Sequence, residues 1–290
     1  MKNNVKIGIA LMVIATLCFG LMDGVSRYLA QNYNVIIINM LRTWVLALLV
    51  ILFALRKKNG IKKLSNSKKP ILQILRGFLL ISCVCIGVYS FTILGLVTSH
   101  CIISVYPLIV LSLSGYFLGE KIGWRRWTAV FIGFFGVLVI LNPISFTFKV
   151  ELLWPIILSI LLATYSILTR KVSKFDNAET SFFWVAIIGC IIMTIIGPFY
   201  WEILKVEDVS WFLLLCFLST LGHFLFIKAL ETTQASILQP FTYLQLFFAS
   251  IIGILIFNDI LTTSLLIGGV LIVGSGIFAS IRTHKTRVIK

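Results

Sequence analysis

Asp23 is the one carboxylate that stands well inside a long apolar stretch of this sequence, IALMVIATLCFGLMDGVSRYL. A charge held at that depth costs about 2.5–3.5 kcal/mol on membrane-insertion scales, so it calls for a partner or a task. Arg27 follows one helical turn later on the same face, and Arg42 enters the next apolar run from its other end to a similar depth. One reading is a structural ion pair or triad. The other is a binding or gating site in which Asp23 takes an ammonium or a proton and the Arg42 guanidinium takes a carboxylate. Arg76 lies about five residues inside the third run, shallow enough to snorkel to an interface, the alternative being a coupling or gating role. His100 and His223, each alone in its run, either hydrogen-bond nearby backbone or serve binding and proton coupling.

The most polar run carries Gln234, Ser236, Gln239, Thr242, Tyr243 and Gln245. Such side chains are poor neighbours for lipid, so this surface is expected to face other helices or a wet cavity, with Gln239, Tyr243 and Pro240 at its centre. Pro107, in the middle of the fourth run, removes a backbone hydrogen bond; the freed carbonyl must be satisfied by protein or water, which places that helix beside a cavity. Tyr89, Tyr106, Tyr165, Trp44 and Trp184 are buried enough by sequence to stack on a planar ligand or a cation, or to pack.

No phosphate-binding loop, zinc-binding HExxH or nucleophile elbow stands where it could work, and Glu151, Asp176, Glu179, Glu202, Glu207 and Asp208 are scattered singly in gaps. No catalytic residue, cofactor or metal site is therefore assigned. All six cysteines sit in apolar runs; Cys83 and Cys85 point to different helix faces, so they read as small buried hydrophobes.

The elements that must position these residues are membrane helices. The chain is 59% hydrophobic and 12% charged, with mean hydropathy +1.05. The segment His100–Pro143 has the form of a hairpin, two apolar runs around a turn holding Glu120, Lys121, Arg125 and Arg126 between Trp124 and Trp127. Ten spans are expected, near residues 7–29, 35–55, 71–93, 96–118, 127–142, 152–171, 181–200, 209–229, 234–257 and 260–281. The first imitates a signal peptide but runs on without a cleavage pattern. Lys and Arg cluster in alternate gaps, which puts both termini on the cytoplasmic side. The net charge of +15 is spread over these gaps and forms no nucleic-acid surface. The expected partners are lipid and a small-molecule substrate, and the glycines of GFFG (133–136) and GSG (274–276) would also suit a homodimer.

Arg27 and Arg170, Glu120 and Asp259, and Pro107 and Pro240 recur at matching places in residues 1–143 and 144–290. Five spans per half make the second copy inverted in the membrane. LGEKIGWRRWTAVFIGFFGVLVI and the stretch Gly222–Asp259 resemble EamA-type carriers of the drug/metabolite transporter superfamily. DGVSRYL, LRTW and LRGFLL resemble the bacterial subgroup of S-adenosylmethionine and riboflavin uptake carriers. The resemblance implies two inverted five-helix repeats around a central cavity lined mainly by spans one, three, four, six, eight and nine. It also implies alternating-access transport across a bacterial cytoplasmic membrane. S-adenosylmethionine fits the charge inventory, with its positive groups opposite Asp23, its carboxylate opposite Arg42 and its adenine on Tyr165 or Tyr243. Riboflavin, amino acids and nucleobases, carried in or out, are the alternatives, and a non-transporting membrane enzyme or assembly subunit is the competing class.

Overall fold

A computed structural model describes residues 5–56, 60–118, 124–141 and 149–285, and every regular element among them is helical. The helices are α1 (Val5–Leu29), α2 (Val35–Leu55), α3 (Gly60–Ser65), α4 (Pro70–Leu94), α5 (Leu96–Ile103), α6 (Tyr106–Leu118), α7 (Trp124–Leu141), α8 (Leu153–Val172), α9 (Ala178–Ile196), α10 (Val209–Thr232), α11 (Ala235–Phe257) and α12 (Thr263–Lys285). Among the described residues, eight stretches are long and apolar enough to cross a bilayer: 5–29, 35–55, 70–94, 96–117, 150–172, 178–200, 206–232 and 235–257. Residues 127–141 and 263–275 are apolar but shorter. Glu120, Lys121 and the junction of the two halves at 143/144 lie outside the described residues.

The fourth expected span is two helices, α5 and α6. Pro107 has no N–H to offer the Ile103 carbonyl, and the chain turns at Ser104–Val105, where Ser104 N donates to His100 O (2.9 Å) and Val105 N to Ile102 O (3.1 Å). Pro240 behaves differently: α11 continues through it. The broken span lies at the centre of the bundle, and its break faces the cavity described below.

Helix α1 packs on α10 and α11, α4 on α8 and α9, and α7 on α12. The α1–α11 contact is close because glycine stands at both crossing points. A Cβ on Gly20 would fall 2.7 Å from Phe248 Cβ, and one on Gly24 would fall 2.7 Å from Ile252 Cγ2. The contacts advance in step, Gly8 with Thr233, Gly20 with Phe248, Gly24 with Ile252, so α1 and α11 run parallel. On α7 and α12 the order reverses, Gly133 meeting Ser275 and Gly136 meeting Gly268, and these two run antiparallel. Gly133 and Gly136 are thus engaged within the chain, while a Cβ on Gly274 would touch nothing within 4 Å.

One end of the bundle is tied by a single carboxylate. Helix α11 ends at Asn258 in the left-handed region (φ 55°), and Asp259 N returns to Gly253 O at 2.9 Å. This turn directs the Asp259 side chain to the start of α5, where it accepts from Leu96 N (2.7 Å) and Val97 N (3.1 Å) and pairs with Arg27 Nη1 (2.7 Å). Gly95, at φ 81°, allows the approach, since a Cβ there would lie 2.7 Å from Asp259 Oδ1. The Arg27 guanidinium also covers the Phe257 ring at 4.3 Å. At the other end Arg170 donates to the Leu230 and Glu231 carbonyls (2.7 and 3.2 Å) as α10 terminates.

Candidate functional site

A chamber opens within the bundle, with about 730 Å³ of space free of atoms once the open solvent at its mouth is included. Its walls come from α1, α4, α5, α6, α8, α10 and α11, with Arg42 alone contributed by α2. These are the spans the resemblance implies, plus the second. The lining is mostly apolar and aromatic with a few convergent polar groups, the usual make-up of a small-molecule site.

The polar groups fall into two sets. On one wall Gln245 Nε2 donates to Asp23 Oδ2 at 2.9 Å, and His100 Nε2 stands 3.1 Å from the same oxygen. The second contact is electrostatic, because its geometry is not that of a hydrogen bond. Phe91 fixes the imidazole by stacking on it, with centroids 5.0 Å apart and planes 17° from parallel. Asp23 is thereby held by α5 and α11, two helices far from it in sequence. Arg42 is 3% exposed, and among the described residues its one hydrogen-bond contact is Nη1 with the Met22 thioether at 3.7 Å. Among the described residues no carboxylate pairs with it. The ion pair or triad expected of Asp23, Arg27 and Arg42 does not form: Asp23 goes to His100 and Gln245, Arg27 to Asp259. Equal depth along two helices leaves open which way each side chain turns.

Tyr106 and Tyr165 line the chamber, Tyr165 stacked on Phe226 (centroids 6.1 Å, planes 13° apart), and His223 lines it with Phe19 at 4.9 Å. Ser166 lines it too. Other expected residues lie elsewhere. Tyr89 is 42% exposed and meets Trp154 edge-on at the perimeter. Trp184 packs with Phe182 and Phe183 of α9 and Ile227 of α10. Gln239 and Tyr243 are buried but turned away from the chamber, Tyr243 into an apolar cluster with Leu108, Leu111 and Ile272. Pro107 and Pro240 do not line it; Pro107 acts by breaking the helix that places His100 and Tyr106.

Arg76 does not snorkel. It is fully buried, its Nε donating to Thr169 Oγ1 (3.0 Å), its Nη1 to Gln73 Oε1, and its guanidinium lying 5.4 Å from the Tyr165 ring centroid. Gln73 in turn donates to Asp176 Oδ2 at 2.9 Å, which also receives Ser67 Oγ, while Asp176 Oδ1 receives Lys68 N. Asp176 and Asp208 are thus buried acceptors, Asp208 bonded by Tyr33 at 2.8 Å, and not solvated loop acids. The residues missed by sequence are chiefly Phe19, Phe91 and Phe226; with 23 phenylalanines in the chain, residue type alone singles out none of them.

Because Asp23 and His100 share a contact and Asp23 and Arg42 do not, double-mutant cycles should separate the pairs. The Asp23→Asn/His100→Ala cycle is expected to give a coupling of about 1–2 kcal/mol in thermal or denaturant unfolding, and Asp23→Asn/Arg42→Gln less than about half of that. Equal couplings would overturn this assignment of partners.

The EamA-like transporter family matches the chain twice, at residues 6–142 and 149–281. Among similar proteins is an S-adenosylmethionine uptake transporter of Rickettsia bellii, 26% identical over 274 residues, covering 94% of this chain and 93% of that one. Another is a riboflavin transporter of Vibrio cholerae, 24% identical over 290 residues, covering 99% and 97%. A solved crystal structure aligns with TM-score 0.69 over 96% of this chain and 98% of its own at 12% identity, a likeness of fold alone. With two family matches spanning nearly the whole chain, the protein belongs to the EamA-like transporter family and is a multi-pass membrane transporter.

Proposed function

We propose that the protein is a secondary carrier of a bacterial cytoplasmic membrane that moves S-adenosylmethionine, or a similar zwitterionic or cationic aromatic metabolite, by alternating access. The single observation that carries the reading is the chamber, lined by helices of both halves, with aromatic faces and the charged groups Asp23 and Arg42 in its wall. An adenine or comparable ring suits those faces, and the Rickettsia relatives named for S-adenosylmethionine uptake align with 93–94% of the chain. In this reading the two five-span halves, 1–143 and 144–290, rock about the chamber.

The ten-span count draws support from helix direction. Counting only the eight long stretches makes α11 the eighth crossing, opposite in direction to α1, yet the two run parallel. If α7 also crosses, α11 becomes the ninth and the directions agree; α12 then returns the C-terminus to the side of the N-terminus. The gaps rich in Lys and Arg put that side in the cytoplasm.

Labelled S-adenosylmethionine uptake into a bacterial host expressing the protein is expected to exceed that of the empty-vector host severalfold and to be competed by excess unlabelled compound. Uptake equal to the control would sink the substrate assignment. Riboflavin is the second reading, favoured by the Vibrio cholerae relative, and the same assay with labelled riboflavin decides between them.

A further inference from the structure

Arg42 and His223 stand at a junction that the transport reading leaves unexplained. Besides the main chamber, both line a second, smaller cavity between α2, α4, α9 and α10, where Thr43 and Ser219 add hydroxyls. Together with Leu80 and Val84, which also line both, they form the partition between the two spaces. Arg42 is 97% buried by its 3% exposure, has no carboxylate in direct ion-pair contact among the described residues, and its one hydrogen bond among them goes to a thioether. His223 is 7% exposed, and neither ring nitrogen has a hydrogen-bond partner. A guanidinium taken out of water without a counter-ion is costly, and an unbonded imidazole beside it adds to that cost. Asp23 attracts the guanidinium through space but makes no direct ion pair with it, since Asp23 Oδ2 receives Gln245 and faces His100.

We propose that Arg42 and His223 form an anion site which takes the carboxylate of the carried solute, and that this carboxylate decides what the chamber accepts. The guanidinium offers parallel N–H donors that match a carboxylate, and a neutral imidazole offers one more. The solute's ring then lies in the aromatic part of the main chamber, while its acid end sits at the partition. The inference rests on the carrier reading but not on S-adenosylmethionine as the solute: amino acids bearing a ring satisfy it, and neutral or purely cationic compounds do not.

The test uses matched pairs on the detergent-purified full chain, read as thermal stabilisation: S-adenosylmethionine against its decarboxylated analogue, and tryptophan against tryptamine, each in chloride buffer and in chloride-free buffer. In any pair that binds, the carboxylate-bearing member is expected to bind at least about tenfold more tightly, a gap of roughly 1.4 kcal/mol. Arg42→Gln should abolish that preference and Arg42→Lys should restore part of it, because a point charge lacks the fork. His223→Ala should reduce it. If tryptophan outbinds tryptamine while S-adenosylmethionine has no effect, the substrate assignment falls and the anion site stands. The proposal is overturned if the decarboxylated members bind as well, if the preference survives in Arg42→Gln, or if no carboxylate-bearing compound stabilises the protein. It is also overturned if chloride alone stabilises the parent but not Arg42→Gln and the pairs show no preference, which would make the site one for an inorganic anion.

Discussion

Asp259→Ala is expected to destabilise the protein by about 3 kcal/mol or more, the scale found when one partner of a buried ion pair is removed. The side chain serves three groups at once: the Arg27 guanidinium at 2.7 Å and the backbone N–H groups of Leu96 and Val97 at 2.7 and 3.1 Å. Alanine leaves a half-buried positive charge and two unmet donors at the start of α5, where the helix dipole already favours a negative charge. For a chain of this size the loss corresponds to a melting temperature lower by roughly 6–12 °C. The remaining Arg27–Phe257 contact does not offset it. Pairing Asp259→Ala with Arg27→Ala should recover part of the loss, since the double variant no longer buries an unpaired charge. A single Asp259→Ala variant that melts within about 1 °C of the parent would show that this tie contributes nothing to holding α1, α5 and α11 together.

Much of the architecture could be read from apolar runs and charged gaps. The expected spans 35–55, 71–93 and 234–257 fall within a residue or two of α2, α4 and α11, because a run of lipid-compatible residues bounded by Lys, Asn or Gly leaves little choice of boundary. Pro107 correctly marked a cavity-lining segment, but hydropathy could not say that the span breaks there into two helices. The site was legible in its inventory and obscure in its pairing. Asp23, Arg42, His100, His223, Tyr106, Tyr165 and Gln245 all line the chamber. Which of them touch depends on how helices far apart in sequence are rotated, and depth along a run carries no such information. Helix α11 makes the point: Gln239 and Tyr243, four residues apart, share a face that packs toward α6 and α12, and Gln245, two residues beyond Tyr243, turns to Asp23. Arg76 failed for a related reason. Snorkelling was the economical expectation for a charge five residues deep, but Gln73, Thr169 and the Tyr165 ring hold it inside.

The central claim is that the chamber is where the solute travels, and Gly87 offers a direct way to close it. Gly87 lines the chamber from α4, and a Cβ added there would meet its nearest neighbours, Leu158 and Phe91, at ordinary contact distances of 3.5 and 3.7 Å. Gly87→Ala therefore fits, and gains up to about 1 kcal/mol from better helix propensity. Gly87→Phe sends a benzyl group past Leu158 and Phe91 toward the open space, a small-to-large change expected to cost about 1–3 kcal/mol while leaving the protein folded. Transport should not survive: the ring takes the volume between the aromatic walls. The decisive measurement is counterflow of labelled solute in proteoliposomes holding the parent, Gly87→Ala or Gly87→Phe, loaded with the compound that best stabilises the parent. The account predicts exchange in the first two and less than about one-tenth of it in Gly87→Phe, with all three folded and showing cooperative melting. Exchange by a well-folded Gly87→Phe at the parent's rate would mean that the solute does not pass through this chamber.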